Sequence, residues 1–576
     1  MEPGGLVPGI LSFSPLTFSV RETISMSEAS TNAPAESGSG GEDYVLFWAC
    51  FIALIATAFG FIIRALIMDE WGQEFGLTET QKGEIFGVGL WPFAISIVLF
   101  SLIVDKIGYG RAMIFAFIAH VISAVVTILT PTIAAGDSNT AYWMLYTGNF
   151  IVALGNGTVE AVINPVVATM FSRQKTKWLN ILHAGWPGGL VLGGLLTLGM
   201  GDMNWQYKVG LIFIPVIAYG LMMLSCKFPV SERVAAGVSY KAMLQEVGAL
   251  GCLIVTALIV FEVTRVLTGM DLIFSESAAF MAGATEQVQL GVKVGITLAI
   301  TIVYGLIAQS LGRPMFVFLL LIMIPLATTE LGTDSWISEL MEPEMARLGL
   351  AGGWVLVYTS AIMMILRFFA GPIVHKLSPL GLLAASAVVA ACGLVFLSKA
   401  TGVTILAAAT LYGFGKTFFW PTMLGVVAEQ FPKGGALTLN TTGGVGMLGV
   451  GVVGAALLGN IQDKTIDDQL AKADPALHAE VVDKPERSVF GTYQPLDPAK
   501  VDALPEAEQE TITEIRDGAK KSALMTVAIF PVLMFVCYLI LIAYFRSKGG
   551  YEARVLTEHD AEDAEFTGGV EGPMEA

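Results

Sequence analysis

Residues 154–189 read LGNGTVEAVINPVVATMFSRQKTKWLNILHAGWPGG. Two apolar runs are joined by a short basic loop containing Arg173, Lys175 and Lys177. The first run carries Glu160 and Asn164-Pro165 where a plain membrane anchor would carry only apolar residues. A charged side chain at the bilayer centre costs roughly 2.5–3.5 kcal/mol on insertion scales unless it faces a partner or a wet cavity. Glu160 and Asn164 are four residues apart and share one helix face. The stretch implies a polar passage inside hydrocarbon.

The whole chain agrees with a membrane setting. It has 576 residues, 54% of them hydrophobic and only 14% charged, with a mean hydropathy of +0.69. A soluble chain is about 25% charged. Apolar runs near the ~20 residues needed to span a bilayer recur along most of its length. The net charge of -17 arises from acidic residues crowded into the tails and one long polar segment, so it signals no nucleic-acid partner. Five scattered cysteines show no metal spacing. No Ser/His/Asp cluster, metal-ligand set or GxxxxGK[ST] loop is present, so neither an enzyme nor a cofactor is expected. Gly444-x-Gly446-x-x-Gly449 lies inside an apolar run with no preceding strand and reads as helix packing.

Residues 1–43 are rich in Ser, Gly, Pro and Glu and read as a disordered cytoplasmic tail. The first span, residues 44–67, contains Arg64. That arginine either snorkels to the surface or lines the cavity and grips an anion. The second span ends in Asp105-Lys106-x-Gly108-x-x-Arg111. This resembles the loop between the second and third helices of the major facilitator superfamily, with Ser101 in place of the leading glycine. The resemblance implies a cytoplasmic loop whose Asp105 caps a neighbouring helix and, with Arg111, gates the inner side. Glu160-x-x-x-Asn164-Pro165, followed by Leu179-Asn180, resembles fucose-type proton/sugar symporters. It implies that Glu160 faces the solute path with Asn164 beside it. A buried carboxyl group there can carry a proton. His183 is a second candidate, or else only satisfies a neighbour. Arg64 stands where fucose-type proteins carry Asp, which resembles anion/cation symporters and implies a carboxylate or sugar acid.

The chain then repeats itself. Spans near residues 248–268 and 291–311 read as an extra hairpin, with Glu262 and Arg265 as a structural pair. Glu330 with Trp336 resembles the seventh helix of sugar-type members; its alternative is an acid on the outer surface. The run from Arg367 to Ser378 repeats the Asp105 loop with His375 at the aspartate position. Aligning Pro421 with Pro165 puts Lys416 opposite Glu160. The two are expected to pair in the empty cavity and to separate for an anionic solute. Leu437-Thr-Leu-Asn440 echoes Leu179-Asn180-Ile-Leu-His183.

The expected fold is an all-α polytopic membrane protein of fourteen transmembrane helices: two pseudo-symmetric six-helix bundles, 44–226 and 314–545, with a linker and extra hairpin at 227–313. Residues 460–521 form an extracytoplasmic insertion, either a lobe or disordered, and 546–576 an acidic cytoplasmic tail. Basic loops on one side set that topology in the cell membrane. The expected function is secondary transport of a sugar, sugar acid or small organic anion, coupled to a cation such as the proton. Arg64, Glu160, Asn164 and Lys416 lead as site residues, with His183 and Glu330 second. A drug or metabolite exporter on the same fold is the alternative, and a membrane-embedded enzyme or receptor a more distant one. Partners are the solute, the coupling ion and the lipid bilayer, and the protein is expected to act as a monomer.

Overall fold

The computed structural model describes residues 40–334, 345–346, 349, 352–483, 486–488 and 491–556. Trp336, the tail before residue 40 and the acidic tail after residue 556 lie outside the described residues.

Hydrocarbon offers the backbone no hydrogen-bond partner, so a spanning segment must close its own bonds as a helix. In the first part of the chain these helices are α1 (Gly40–Phe75), α2 (Trp91–Ile107), α3 (Tyr109–Ala134) and α4 (Ser138–Met170). They are followed by α5 (Lys175–His183), α6 (Gly185–Gly199) and α7 (Phe213–Leu224). A short α8 (Glu232–Ala235) leads to the extra hairpin, α9 (Tyr240–Gly269) and α10 (Glu286–Ala308). The second part contains α11 (Pro314–Ala327), α12 (Gly353–Phe368), α13 (Ala370–Leu377) and α14 (Pro379–Leu397). It continues with α15 (Thr404–Lys416), α16 (Phe419–Gln430) and α17 (Gly435–Leu448). The last elements used below are α18 (Ala456–Ala473), α19 (Glu506–Val527) and α20 (Ile529–Ser547).

Among the described residues, eleven helices are long and apolar enough to cross a membrane, or twelve if α12 and α13, bent by 65°, form one span. The expected fourteen needs two more. The sequence places them at α15–α16 and at α17 with the π-helix Gly449–Ala455. Both are interrupted: α15 has 13 residues and α16 has 12. Each is shorter than the ~20 residues of one uninterrupted span.

The two parts of the chain meet along α2 and α4 against α17, and along α5 and α6 against α16 and α12. Glycine lets α5 and α16 touch: a Cβ on Gly425 would lie 2.3 Å from Thr176 Oγ1.

The extra hairpin begins with a break. Gly248 in α9 has φ 60° and ψ -175°, a conformation that a side chain strains. The returning chain crosses the break and satisfies it. Ala249 N donates to Ser310 O at 2.9 Å, Leu250 N to Leu311 O at 3.1 Å, and Arg313 N to Glu246 O at 3.2 Å. The Arg313 guanidinium then pairs with Glu246 at 2.8 Å. Glu262 and Arg265 pair at 2.7 Å on one helix face.

Between α17 and α20 the polar insertion is folded. Leu470, Leu477, Val481, Val501, Leu504 and Ile512 form a small core. An antiparallel pair, Glu486–Ser488 with Gly491–Tyr493, lies beside it. Asp467 ties the lobe together by holding His478 Nε2 at 2.7 Å and accepting from Gln494 N at 3.1 Å.

Gly248→Ala tests the crossing. The new Cβ would fall 2.0 Å from Gly312 N, on top of about 1–3 kcal/mol of backbone strain. The variant is expected to lose several degrees of thermal midpoint or to fail to purify as a monodisperse species. An unchanged midpoint would show that the chain does not cross there.

Candidate functional site

Helix α4 lines up its polar side chains at Asn149, Asn156, Glu160 and Asn164, all buried. Asn164 Nδ2 donates to Glu160 Oε2 at 2.6 Å. Its Oδ1 lies 2.9 Å from His183 Nε2 on α5. With the amide turned this way, Nε2 of His183 carries the hydrogen and donates. Glu160, Asn164 and His183 therefore form one chain of side chains across α4 and α5.

Prolines extend the chain into the second part of the molecule. A proline inside a helix has no N–H, so the carbonyl four residues earlier loses its donor. Pro187 thus frees His183 O, which accepts from Arg367 Nη1 on α12 at 2.8 Å. Pro421 frees Thr417 O, which accepts from Arg367 Nε at 2.7 Å. Pro165 frees Ala161 O, which accepts from Asn440 Nδ2 on α17 at 3.0 Å. Asn180 on α5 returns the contact, donating to Thr422 Oγ1 on α16 at 3.2 Å.

Arg367 completes its bonding with Glu330, at 2.7 Å from Nη2 to Oε1. Glu330 Oε2 accepts from Trp420 N at 3.1 Å. Glu330 is 3% exposed, so it is an interior acid and not one on the outer surface. Lys416 is not the partner of Glu160. It pairs with Asp334, one helical turn beyond Glu330, and its ammonium lies 5.3 Å from the Tyr412 ring. Tyr412 in turn donates to Thr329 O. The expected Glu160–Lys416 pair is replaced by two complete acid–base pairs within the second part of the chain. Glu160 is left with an amide donor, and among the described residues no cation pairs with it.

Arg64 belongs to a different cluster. It is buried, and its Nη1 donates to Gly60 O at 3.0 Å and its Nη2 to Ser123 Oγ on α3 at 2.7 Å. Ser123 passes the bond on to Gly148 O on α4 at 2.6 Å. Nearby, His120 bridges Tyr219 at 3.1 Å and Asn156 at 2.9 Å. Arg64 neither snorkels nor joins the Glu160 chain; it fastens α1 to α3.

One end of the bundle is closed by polar ties. Asp105 takes Arg233 at 3.1 Å from Nε and 2.7 Å from Nη2. The expected helix cap is therefore a fork of guanidinium bonds to α8. Arg111 is exposed at the start of α3. Lys175 holds Glu232 at 2.5 Å and Ala428 O at 3.3 Å. Thr176 gives both its N (3.1 Å) and its Oγ1 (2.6 Å) to Glu429. Residues 551–556 form a strap over this closure. Tyr551 donates to Glu429 Oε2 at 2.7 Å, Arg554 N to Glu429 O at 2.8 Å, and Leu556 N to Glu232 Oε1 at 3.2 Å. Burial, and then the carboxylate beside it, push the Tyr551 hydroxyl well above the ordinary tyrosine range, so it stays a donor at neutral pH.

Of the residues the sequence singled out, the structure joins Glu160, Asn164, His183 and Glu330 in one network; sequence reasoning named them separately. It gave no role to Arg367, Asp334, Asn440 or Glu429. Arg367 did carry a signal, an arginine inside an apolar run. Asp334 carried another, an acid four residues after Glu330.

A family model described as Major Facilitator Superfamily matches residues 48–456. No curated protein sequence matches the chain at a significant level. Among solved structures, the E. coli fucose:proton symporter is 14% identical with a TM-score of 0.50, covering 85% of this chain and 98% of its own. The proton:xylose symporter XylE is 12% identical with a TM-score of 0.56, covering 91% and 99%. The human organic anion transporter TETRAN is 10% identical with a TM-score of 0.51, covering 86% and 99%. At these identities the likeness is one of fold.

Arg367→Gln would leave Glu330 buried without its cation and is expected to cost about 3–5 kcal/mol. Adding Glu330→Gln should recover a large part of that loss, because the buried charge is gone. Thermal midpoints of the two single variants and the double variant check this. Additive losses would show that the pair is not coupled.

Proposed function

Because the chain belongs to the Major Facilitator Superfamily, we propose that it is a proton-coupled secondary transporter of a small polar solute. It works in the cell membrane with both tails in the cytoplasm, as the basic loops around Lys106, Lys175 and Lys227 favour. Its solute is a sugar first, with a sugar acid or small organic anion next.

The observation that carries this reading is the position of Glu160. Its carboxyl group is 5% exposed and is bonded to Asn164, which leads through His183 to Arg367 on the other side of the molecule. A carboxylate with no cation, moving with its helix through a low-dielectric interior, is costly. A proton removes that cost. Solute hydroxyls suit the same groups, since a carboxyl and a carboxamide supply both donors and acceptors. Both cations of the centre, Arg367 and Lys416, are already neutralised by Glu330 and Asp334. A neutral polyol leaves those pairs intact, whereas an anion must take one cation from its carboxylate. This order favours sugars. The fucose and xylose symporters that share the fold are proton-coupled by their descriptions.

Transport then proceeds by rocking of two helical bundles about the central network. Opening the closed end requires Lys175–Ala428 O and Thr176–Glu429 to part, and the central Asn440–Ala161 bond must give as the two parts rock. Asp105 with Arg233, and Arg111 beside them, act in that gate.

Proteoliposome uptake of labelled fucose, xylose, glucuronate and lactate, with and without an inward proton gradient, tests the reading. Glu160→Gln is expected to abolish gradient-driven accumulation while solute exchange persists. Accumulation at the wild-type level in that variant would remove Glu160 from coupling. No exchange and no gradient response with any solute of these classes would sink the transport reading itself.

A further inference from the structure

A cavity of about 660 Å³ lies away from the central network, at the closed end. It sits where helices leave the bilayer: Arg313 immediately precedes α11, and the last turns of α20 supply Ile540 and Tyr544. Its lower wall is apolar, with Phe318 and Phe431 facing the α20 residues. Ile540 is 55% exposed and Tyr544 47% exposed on the outside of the bundle, so this wall opens sideways to lipid.

The rim has the opposite character. Arg313, Lys433 and Arg554 surround the mouth, against a single acid, Glu246. Glu246 is already taken by Arg313 through two bonds of 2.9 and 2.8 Å. Arg554 is exposed, and among the described residues no carboxylate pairs with its guanidinium. Its backbone is nevertheless fixed, because its N–H donates to Glu429 O at 2.8 Å. A held cation above an apolar groove matches the two ends of one molecule type.

We propose that this cavity binds an anionic glycerophospholipid from the adjoining leaflet. The phosphate lies between Arg313 and Arg554, and an acyl chain runs along Phe318, Ile540 and Tyr544. Basic pockets between helices at the cytoplasmic boundary are suited to anionic headgroups, since each nearby Lys or Arg attracts the phosphate. The site also has a mechanical consequence. Arg554, Val555 and Leu556 wall the cavity and are part of the strap bound to Glu429 and Glu232. A headgroup held there keeps the strap down and favours the closed end. The proposal needs the helices to cross a membrane but not any particular solute.

The test uses the purified full-length protein in mixed micelles with phosphatidylglycerol or phosphatidylcholine, read by thermal midpoint and native mass spectrometry. Phosphatidylglycerol is expected to raise the wild-type midpoint by several degrees over phosphatidylcholine and to remain bound as one retained lipid. Arg554→Glu should match wild type in phosphatidylcholine but lose both effects, and Arg554→Lys should keep most of them. Glycerol phosphate at equal concentration should shift nothing. Equal phosphatidylglycerol effects in wild type and Arg554→Glu would overturn the site. So would the absence of any preference between the lipids. A full-sized shift from glycerol phosphate alone would mean a soluble anion site and would overturn the lipid assignment.

Discussion

Inside a bilayer, a backbone carbonyl without a donor costs several kcal/mol, because no water is present to replace the lost bond. Three prolines create that condition here, at Pro165, Pro187 and Pro421. The polar centre is built from the groups that answer it. Arg367 reaches two of the freed carbonyls, on Thr417 and His183, and Asn440 reaches the third, on Ala161. Arg367 is then committed in direction, and Glu330 follows it as counter-ion. Two of these bonds, to His183 O and Ala161 O, run between the earlier and later parts of the chain. The same missing donors supply acceptors by which the two parts meet.

The energetic balance of this state follows from how few such ties there are. A net hydrogen bond is worth about 0.5–1.5 kcal/mol. The polar ties between the two parts, at Lys175, Thr176, Asn180, Arg367 and Asn440, are therefore worth several kcal/mol together. A solute with modest differential affinity for the open form can overcome a gap of that size. The central acid–base pairs behave differently. Arg367–Glu330 and Lys416–Asp334 stay within the later part of the chain, so rocking need not break them. Glu160, by contrast, is bonded to an amide and not to a cation.

Fold and site were unequally legible in the sequence. Apolar periodicity and the Asp105 motif announced helices, bundle and repeat, because span length and loop chemistry are local properties. Glu160, Asn164, His183 and Glu330 were legible for a related reason: a polar group in an apolar run stands out in one dimension. Partnership was not. Lys416 looked free because nothing near it in sequence could pair, yet its partner is Asp334, 82 positions away in the chain. Aligning Pro421 with Pro165 correctly marked equivalent carbonyl defects, but it did not make Lys416 and Glu160 neighbours. Equivalence in a repeat is not proximity, and a salt bridge needs contact. Arg64 shows the same limit. Its depth was readable, but the side it faces was fixed by Ser123, 59 residues away.

What the chain carries beyond the helical bundle converges on the closed end and not on the network around Glu160. The extra hairpin enters through the Gly248 break, whose returning strand brings Arg313 against Glu246. The chain after α20 turns back at Gly549-Gly550 and lays residues 551–556 against Glu429 and Glu232. Glu232 is itself the partner of Lys175, and its neighbour Arg233 is the partner of Asp105. Hairpin, strap and linker thus share a small set of charged residues at one end of the molecule. The inserted elements therefore meet at the closed end, apart from the network that joins Glu160 to Arg367.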